Sequence, residues 1–304
     1  PGPTVFISGA IHGDEINGVE IIRRVLQQRS IKSLKGTLIA VPVVNVFGFI
    51  AQTRYLPDRR DLNRCFPGSE KGSLAGRTAH LFINEIVKKC THGIDLHTAA
   101  VHRDNFPQIR AVLGDPETKR MAKAFAAPII VSTGLLEGSL RHAGAALGVP
   151  IIVYEAGEAL RFDEVSIRAG VRGVISTLRE LGLLAKSRSK SPKATSQYAR
   201  SSLWVRAPKS GILRSEKKLG DPVTKDEILA IVSDPFGEED EYVTAPNDGL
   251  IIGRTNIPLV NEGEALFHIA QFKDTDSMAE SIEEFQYEMD PATDDKPSDQ
   301  TPIV

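Results

Sequence analysis

The sequence has few cysteines, almost no net charge and no long apolar run. Its two cysteines, Cys65 and Cys90, cannot form a disulfide framework and fit a reducing compartment. A formal net charge of -2 provides no overall field that would attract nucleic acid or an anionic membrane. The longest apolar runs have the length of strands and are too short to cross a bilayer. We therefore expect a cytoplasmic protein that binds neither nucleic acid nor membrane.

What the sequence does contain is enough material for one large domain and a small one. The 304 residues are 41% apolar and 25% charged, which is an ordinary globular balance. Residues 1–184 alternate between strand and helix patterns. Buried strands are predicted at residues 5–8, 37–44, 93–96, 110–113 and 151–154, and amphipathic helices at residues 17–28, 76–90, 117–126 and 163–181. This alternation predicts an α/β sheet that helices cover on both faces.

The composition changes after residue 184. Residues 185–200 contain five basic residues, no acidic residue and no hydrophobic period. Such a run could contact a polyanion, but we favour a solvated linker. Residues 201–270 predict a small all-β domain, because short apolar segments alternate with turn signals. The pattern AP-x-x-G occurs at residues 207–211 and again at 245–249, which predicts two similar halves of a barrel or sandwich.

The last part of the chain, residues 271–304, is predicted to be an acidic tail that is partly disordered. It contains ten Asp or Glu residues against two Lys. Residues 291–304 combine low hydrophobicity with many polar residues and are expected to be disordered. Phe285 and Tyr287 could anchor the part before them.

The strongest chemical signal is the sequence HGDE at residues 12–15, directly after the first predicted strand. An imidazole and a carboxylate three residues apart at such a turn can bind one Zn²⁺ from the same side. Catalytic zinc sites usually have three protein ligands, and His97 at the end of another short strand is the candidate for the third. Asp95 could orient a ligand histidine. Alone, a His-x-x-Glu pattern is weak, because a capping or core histidine is the common alternative.

Three further motifs accompany HGDE along the chain, namely DLNR at residues 61–64, DLH at 95–97 and YEAG at 154–157. Together the four motifs resemble the succinylglutamate desuccinylase/aspartoacylase family of the zinc carboxypeptidase-like superfamily. The resemblance implies a zinc-carboxypeptidase-like mixed sheet flanked by helices, with residues 1–184 as the catalytic domain. It also implies that the C-terminal all-β domain has a biotinyl/lipoyl-like barrel-sandwich fold.

The resemblance implies a metal site and a general base. One zinc ion per chain would have three ligands, His12, Glu15 and His97. Glu155 would act as general base and then as general acid, moving a proton from water to the leaving amine. Glu155 could instead cap the next turn, in which case Glu158 would be the base.

The resemblance also implies residues that bind the substrate. Asn63 and Arg64 would hold a substrate carboxylate, which a guanidinium can bind through two hydrogen bonds. A further arginine should face the carbonyl oxygen as negative charge develops on it. Arg54 is the candidate, and Arg59 and Arg60 are the alternatives.

Other residues near the motifs have simpler interpretations. Arg64 could pair with Asp58 or Asp61 at the surface. Cys65 lacks an obvious base partner and is interpreted as a packed thiol rather than a nucleophile. Three more histidines could lie near the metal, namely His92, His102 and His142.

The hairpin at residues 232–237 lacks the lysine that a working biotinyl or lipoyl domain presents for covalent attachment. We therefore expect no attached cofactor. Instead, the domain is expected to shape the active-site mouth or an oligomer interface, which leaves a homo-oligomer open.

Together these motifs predict a zinc-dependent hydrolase that cleaves the amide bond of an N-acyl amino acid or a related small metabolite. The substrate would bear a carboxylate. A carboxypeptidase acting on short peptides is the alternative, because it uses the same zinc, glutamate and arginine chemistry. A non-catalytic zinc-binding module is a third hypothesis, which the complete set of ligands and base argues against.

Overall fold

The structure of the protein is a computed structural model that describes residues 2–186 and 196–293. The helices in this part of the chain are α1 (Asn17–Gln27), α2 (Val46–Ile50), α3 (Leu74–Glu85), α4 (Pro116–Phe125), α5 (Leu140–Ala146), α6 (Glu164–Glu180) and α7 (Thr275–Met289). The strands of the first part are β1 (Thr4–Gly9), β2 (Thr37–Val41), β3 (His92–Ala99), β4 (Arg103–Ala111), β5 (Ile129–Ser132) and β6 (Ile151–Glu158). The strands that follow are β7 (Gln197–Ala199), β8 (Ser201–Arg206), β9 (Gly211–Ser215), β10 (Pro222–Val223), β11 (Ile228–Ser233), β12 (Asp240–Thr244), β13 (Gly249–Thr255), β14 (Leu259–Val260) and β15 (Ala265–Gln271).

The predicted α/β sheet is confirmed and is mixed. Strands β2, β1, β3 and β6 lie side by side and are parallel, whereas β4 runs antiparallel to β6. Because parallel strands end at the same edge of a sheet, the segments that follow β1 and the last residues of β3 and β6 meet there. His97 on β3 lies directly opposite Glu155 on β6.

Helices cover both faces of this sheet. Alternate residues of a strand point to opposite faces, so Val5 and Ile7 enter one hydrophobic cluster and Phe6 enters the other. The first cluster contains side chains of α1, α4 and α6, and the second contains side chains of α3 and α5. The amphipathic patterns at residues 17–28 and 163–181 therefore correspond to helices that bury one side against the sheet.

Strands β8, β10, β13 and β15 of the C-terminal part continue the main sheet. The first half of β4 pairs with β13, and the second half of the same edge pairs with β5. Strand β15 pairs with β13, and β8 pairs with β15. A second sheet, in the order β12-β11-β9-β14, packs against this extension through a common apolar core that includes Val232 and Leu266. Because β4 is longer than predicted, its free edge accepts the strands of residues 201–270.

Two segments that were predicted to lie outside the folded core contain regular structure. Strand β7, at the end of the predicted linker, pairs with β5, while residues 187–195 of that linker lie outside the described residues. The predicted acidic tail contains helix α7. Its apolar side chains follow at intervals of four, three and four residues and are buried in the main core, namely Met278, Ile282, Phe285 and Met289. The acidic composition conceals this stripe.

Phe285 anchors the helix as expected, whereas Tyr287 is 71% exposed. The disorder predicted for the end of the chain falls, from residue 294 onward, outside the described residues. Among the helices described, none has both the length and the apolar composition that a membrane crossing requires.

The surroundings of Asp104, where β4 pairs with β13, disfavour the charged form of its carboxyl group. Burial raises the pKa of its carboxyl to about 6, and the nearby Asp163 and Glu158 add to this effect, while Arg254 opposes it. The carboxyl therefore holds its proton to a higher pH in the folded protein than in the unfolded chain. Between about pH 4 and pH 6 the unfolded state loses this proton first, so the Asp104 contribution to stability falls as the pH rises.

We expect Asp104→Asn to raise the free energy of unfolding by about 1–2 kcal/mol at pH 8, because the amide removes the cost of charging a partly screened carboxyl. At pH 4 the gain should largely disappear, since wild-type Asp104 is protonated in the folded state. Chemical denaturation at the two pH values measures the difference, with the exposed Asp226→Asn as the control. An equal effect of Asp104→Asn at both pH values would contradict this account.

Candidate active site

The turn between β1 and α1 brings His12 and Glu15 to the same side. The amide of Glu15 donates a hydrogen bond to the carbonyl oxygen of His12 over 3.1 Å, which closes a single tight turn. Gly13 is required inside this turn, because a Cβ there would lie 2.0 Å from the carbonyl carbon of Gly48 in α2. The backbone of α2 is therefore pressed against the turn.

The structure brings His12, Glu15 and His97 together. The Nδ1 atom of His12 lies 2.7 Å from Glu15 Oε1, and the Nδ1 atom of His97 lies 2.7 Å from Glu15 Oε2. The three donor atoms lie within 4.8 Å of one another, and all three side chains are buried. Two imidazole nitrogens and one carboxylate are the ligands of several catalytic zinc sites, so the chemistry of these residues fits zinc.

The outer nitrogens of the two histidines are held by carboxylates. His12 Nε2 lies 3.1 Å from Asp61 Oδ1, and His97 Nε2 lies 2.7 Å from Asp95 Oδ2. The hydroxyl of Ser8 donates to the other oxygen of Asp95 over 2.7 Å. Such contacts orient the rings and leave Nδ1 to face the centre of the cluster. Asp95 therefore lies where the sequence predicted a partner for a ligand histidine.

Electrostatic interactions within the cluster shift the pKa of Glu15 and of both histidines. Burial alone would raise the pKa of Glu15, but the facing His12 and His97 hold it well below its usual range. Burial lowers the pKa of His97, and Asp95 and Glu15 more than offset this, so the pKa rises well above its usual value. Burial lowers the pKa of His12, but Glu15 and Asp61 more than offset this effect, so the pKa is raised.

Glu155 lies beside the cluster, on β6 and opposite His97 of β3. Its Oε2 accepts a hydrogen bond of 3.1 Å from the amide of Asn105, and its Oε1 lies 3.4 Å from the guanidinium of Arg110. It lines a cavity of about 260 Å³ that the three residues of the cluster also line. The alternative base, Glu158, instead accepts hydrogen bonds from the amide of His102 and the side chain of Asn256. Glu158 is not among the described residues that line the cavity.

Arg54 also reaches this cavity. Its guanidinium lies 3.1 Å from Glu15 Oε1 and 3.0 Å from Asp61 Oδ2. Burial lowers the pKa of Arg54, but Glu15 and Asp61 outweigh it and raise the value. Arg59 and Arg60 do not line the cavity, and the closest carboxylate of Arg60 is that of Asp58 at 4.0 Å.

Asn63 and Arg64 also line the cavity, from the short helical turn at Leu62–Arg64. Asn63 Oδ1 accepts a hydrogen bond of 2.9 Å from the amide of Leu140, the first residue of α5, which fixes the side chain. The guanidinium of Arg64 is exposed and donates to the carbonyl oxygen of Asn63 over 2.8 Å. Within the described residues Arg64 forms no ion pair with Asp58 or Asp61. Its charge therefore faces the cavity and solvent.

The remaining candidates from the sequence lie away from the cluster. His92 pairs with Glu117 at 2.8 Å and lines a different cavity. His102 is exposed in a turn, and His142 lies on α5 without reaching the cavity lining. The Cys65 thiol donates to the carbonyl oxygen of Asp61, and burial raises its pKa, which agrees with a packed thiol.

Several residues that line the cavity carry no local sequence signal. Asn105 lies on the part of β4 that precedes the strand predicted at residues 110–113, and Arg110 lies within that predicted strand but belongs to no motif. Arg141 lies on α5, where burial lowers the pKa of its guanidinium and Arg110 adds to the effect. The cavity lining also includes Arg103 and, from β8, Trp204. Only the folded chain places these side chains beside the motifs.

Comparison with known proteins identifies the family. The model of the succinylglutamate desuccinylase/aspartoacylase catalytic domain matches residues 1–181. The N-alpha-acetyl-L-2,4-diaminobutyric acid deacetylase of Halomonas elongata is 28% identical over 282 residues, which cover 89% of this chain and 82% of that protein.

Solved structures agree. A succinylglutamate desuccinylase/aspartoacylase from Rhodobacter sphaeroides is 25% identical with a TM-score of 0.80, covering 89% of this chain and 86% of the other. The product-bound ectoine utilization protein EutE (DoeB) from Ruegeria pomeroyi is 26% identical with a TM-score of 0.80, covering 88% and 85%. This fold and its relatives define a hydrolase of the deacylase type. The chain belongs to the succinylglutamate desuccinylase/aspartoacylase family, as its motifs predicted.

Proposed function

We propose that this protein is a zinc-dependent amidohydrolase that removes the acyl group from an N-acyl amino acid. The observation that carries the proposal is the meeting of His12, Glu15, His97 and Glu155 in one cavity of about 260 Å³. A cavity of this size suits a single acylated amino acid better than an extended peptide, which disfavours the carboxypeptidase alternative. Because a relative is named for deacetylation of an acetylated diamino acid, N-acetyl amino acids are the first substrates to test.

Each group in the cavity has a part in the proposed reaction. His12, Glu15 and His97 would hold a zinc ion, which would supply the Lewis acidity needed to activate water at neutral pH and to polarise the amide carbonyl. Glu155 takes the proton from the attacking water and passes it to the leaving amine. Asn105 and Arg110 orient the Glu155 carboxylate through the contacts described above, which aims it at the cluster.

The cationic groups at the cavity wall complete the proposed site. Arg54 is placed to donate hydrogen bonds to the carbonyl oxygen as negative charge develops on it, because its guanidinium borders Glu15. Asn63 and Arg64 hold the carboxylate of the substrate, since both residues line the cavity and the side chain of Arg64 is exposed.

We also propose a fold type for the C-terminal strands. The two packed sheets formed by β8–β15 agree with a biotinyl/lipoyl-like sandwich, and we propose that this unit has kept the fold without the cofactor. The β11–β12 hairpin contains Asp234, Pro235, Phe236 and Gly237 in place of an attachment lysine. We further propose a cytoplasmic location, which the free thiols of Cys65 and Cys90 support.

The proposal is tested by hydrolysis of N-acetyl, N-succinyl and N-formyl amino acids and of short peptides, with zinc-loaded and chelator-treated protein. We expect zinc-dependent release of one acyl group from a carboxylate-bearing substrate. Turnover of peptides alone would move the protein to the carboxypeptidase class. Stoichiometric zinc without turnover of any compound would favour a non-catalytic binding module.

Arg64→Ala is expected to raise KM for carboxylate-bearing substrates by about 10- to 100-fold, because charge-assisted hydrogen bonds to the substrate carboxylate are lost. The change should be much smaller for the same substrates with the carboxylate amidated. Steady-state kinetics on both series measure the effect, with Arg60→Ala as the matched control at an arginine outside the cavity. An equal loss on the amidated series would remove Arg64 from carboxylate binding.

A further inference from the structure

The C-terminal strands contribute one side chain to the active-site cavity. Among the described residues that line it, Trp204 on β8 is the only one that follows Glu155 in the chain. Trp204 is the neighbour of His268 on β15, and His268 is the neighbour of Gly253 on β13. Gly253 in turn lies opposite Asn105, which donates to Glu155. A row of paired residues across one sheet thus connects the indole to the proposed general base.

The row holds Trp204 in one position. The indole stacks on the His268 ring with centroids 4.6 Å apart and an angle of 10° between the planes. The guanidinium carbon of Arg103 lies 5.6 Å from the centroid of the indole, within the range of a cation–π contact. His268 is only 7% exposed, and burial lowers its pKa to about 4, with Arg110 adding to the effect, so its ring is uncharged at neutral pH.

Gly253 leaves the space that this packing needs. A Cβ at that position would lie 2.9 Å from Asn105 Oδ1 and 3.2 Å from the Cβ of His268. A side chain there would push His268 away from the indole or disturb the hydrogen bond from Asn105 to Glu155. The wall that carries Trp204 and the contact that orients Glu155 therefore depend on the same close approach of strands.

The order of groups across the sheet indicates which part of the substrate reaches Trp204. Asp61 contacts His12 on the β1 side, and Asn63 and Arg64 lie in the same turn as Asp61. Glu155 comes next, on β6, and Trp204 lies four strands further along the sheet. A substrate with its carboxylate at Asn63 and Arg64 and its amide at Glu155 therefore extends its acyl group toward β8.

We propose that Trp204 is a specificity-determining residue that limits the length of the acyl group, an inference that rests on the proposed deacylase function. The half-buried indole offers an apolar surface in a cavity otherwise rich in charge. Arg103, Arg110 and Arg141 line the same cavity, so a cationic group beside the indole is disfavoured. The acyl group that fits is short and apolar or anionic.

The first test is the acyl-length profile of Trp204→Ala and Trp204→Phe, measured as kcat/KM for acetyl, butyryl and hexanoyl derivatives of one amino acid. We expect Trp204→Ala to raise the hexanoyl-to-acetyl ratio by about tenfold or more, since a single methylene is worth about tenfold or more in a fitted pocket. The hexanoyl-to-acetyl ratio of Trp204→Phe should lie between those of the wild type and Trp204→Ala. Tyr242→Ala, at an exposed position on β12, should keep the wild-type ratio.

The second measurement does not depend on the stability of a Trp204 variant. Trp204 is the single tryptophan of the chain, so its fluorescence reports from this wall alone. In zinc-loaded Glu155→Gln protein, titration with N-acyl amino acids should shift the emission, and the shift should increase with acyl length until binding fails.

Two results would overturn the inference, and they differ from each other. An unchanged length profile in Trp204→Ala protein with wild-type zinc content, together with silent fluorescence, would refute the role of Trp204 while the deacylase function stands. Absence of zinc-dependent turnover of any acyl amino acid by the wild-type protein would refute the proposed function and, with it, this inference.

Discussion

Glu155→Gln is expected to keep the metal site and to reduce kcat by about 10²–10⁴-fold, the contribution that general acid–base groups typically make. Glutamine preserves the shape of the side chain and can still contact Asn105 and Arg110. It cannot accept the proton of the attacking water or return it to the leaving amine. The measurement is kcat on the best substrate of the acyl amino acid panel, with zinc content determined on the same sample.

Glu158→Gln is the matched control for this experiment. Glu158 lies three residues further along the same strand, but its oxygens accept hydrogen bonds from His102 and Asn256 outside the cavity lining. We expect this variant to retain near-wild-type kcat. If Glu158→Gln lost activity and Glu155→Gln kept it, the general base would be Glu158 and the proposed geometry would be wrong.

His97→Ala is expected to lose zinc and activity together, because it removes one of three buried donors and leaves Glu15 and Asp95 without the ring between them. Two remaining donors do not complete the three-ligand set of a catalytic zinc site. Zinc bound after passage through chelator and gel filtration, measured by elemental analysis, gives the stoichiometry. Retention of one zinc per chain would disprove the ligand assignment.

The control is His92→Ala, which removes a histidine near the start of the same strand. His92 pairs with Glu117 and lines another cavity, so we expect wild-type zinc content.

Asp95→Asn is expected to have an intermediate effect on zinc binding. Loss of the carboxylate that holds His97 Nε2 should weaken zinc binding by about 10- to 100-fold, as for other outer partners of metal-bound histidines.

Short-range patterns predicted the parts of the site that follow apolar strands. The buried strands β1 and β6 were readable because they contain runs of apolar residues, and HGDE follows β1 while YEAG lies within β6. The sequence also predicted that His97 would join His12 and Glu15, because His97 ends another short apolar strand and the family resemblance implies it as the third ligand. The structure brings these residues together, and the roles assigned to them are the subject of the experiments above.

Other parts of the site and of the fold could not be predicted from local sequence patterns. Strand β4 begins at Arg103, well before the strand predicted at residues 110–113, so Asn105 lay outside every predicted strand, and Arg110 belonged to no motif. Helix α7 was hidden by its acidic composition, although its apolar stripe is buried against the core. The choice among Arg54, Arg59 and Arg60 depended on which guanidinium reaches Glu15 and Asp61. Side chains of neighbouring loop residues can point in opposite directions, so sequence spacing alone does not show which arginine reaches these carboxylates.

By itself, the sequence determined the family, the α/β class of the fold and the candidates for the metal ligands and the general base, because each depends on motifs and periodicities within a few residues. Only the tertiary structure decided that the C-terminal strands extend the main sheet and deliver Trp204 to the cavity. That outcome follows from the free edge of β4, which pairs with β13 through backbone hydrogen bonds. Backbone pairing between strands about 150 residues apart depends on which edge is left open, and an open edge exists only in the folded chain.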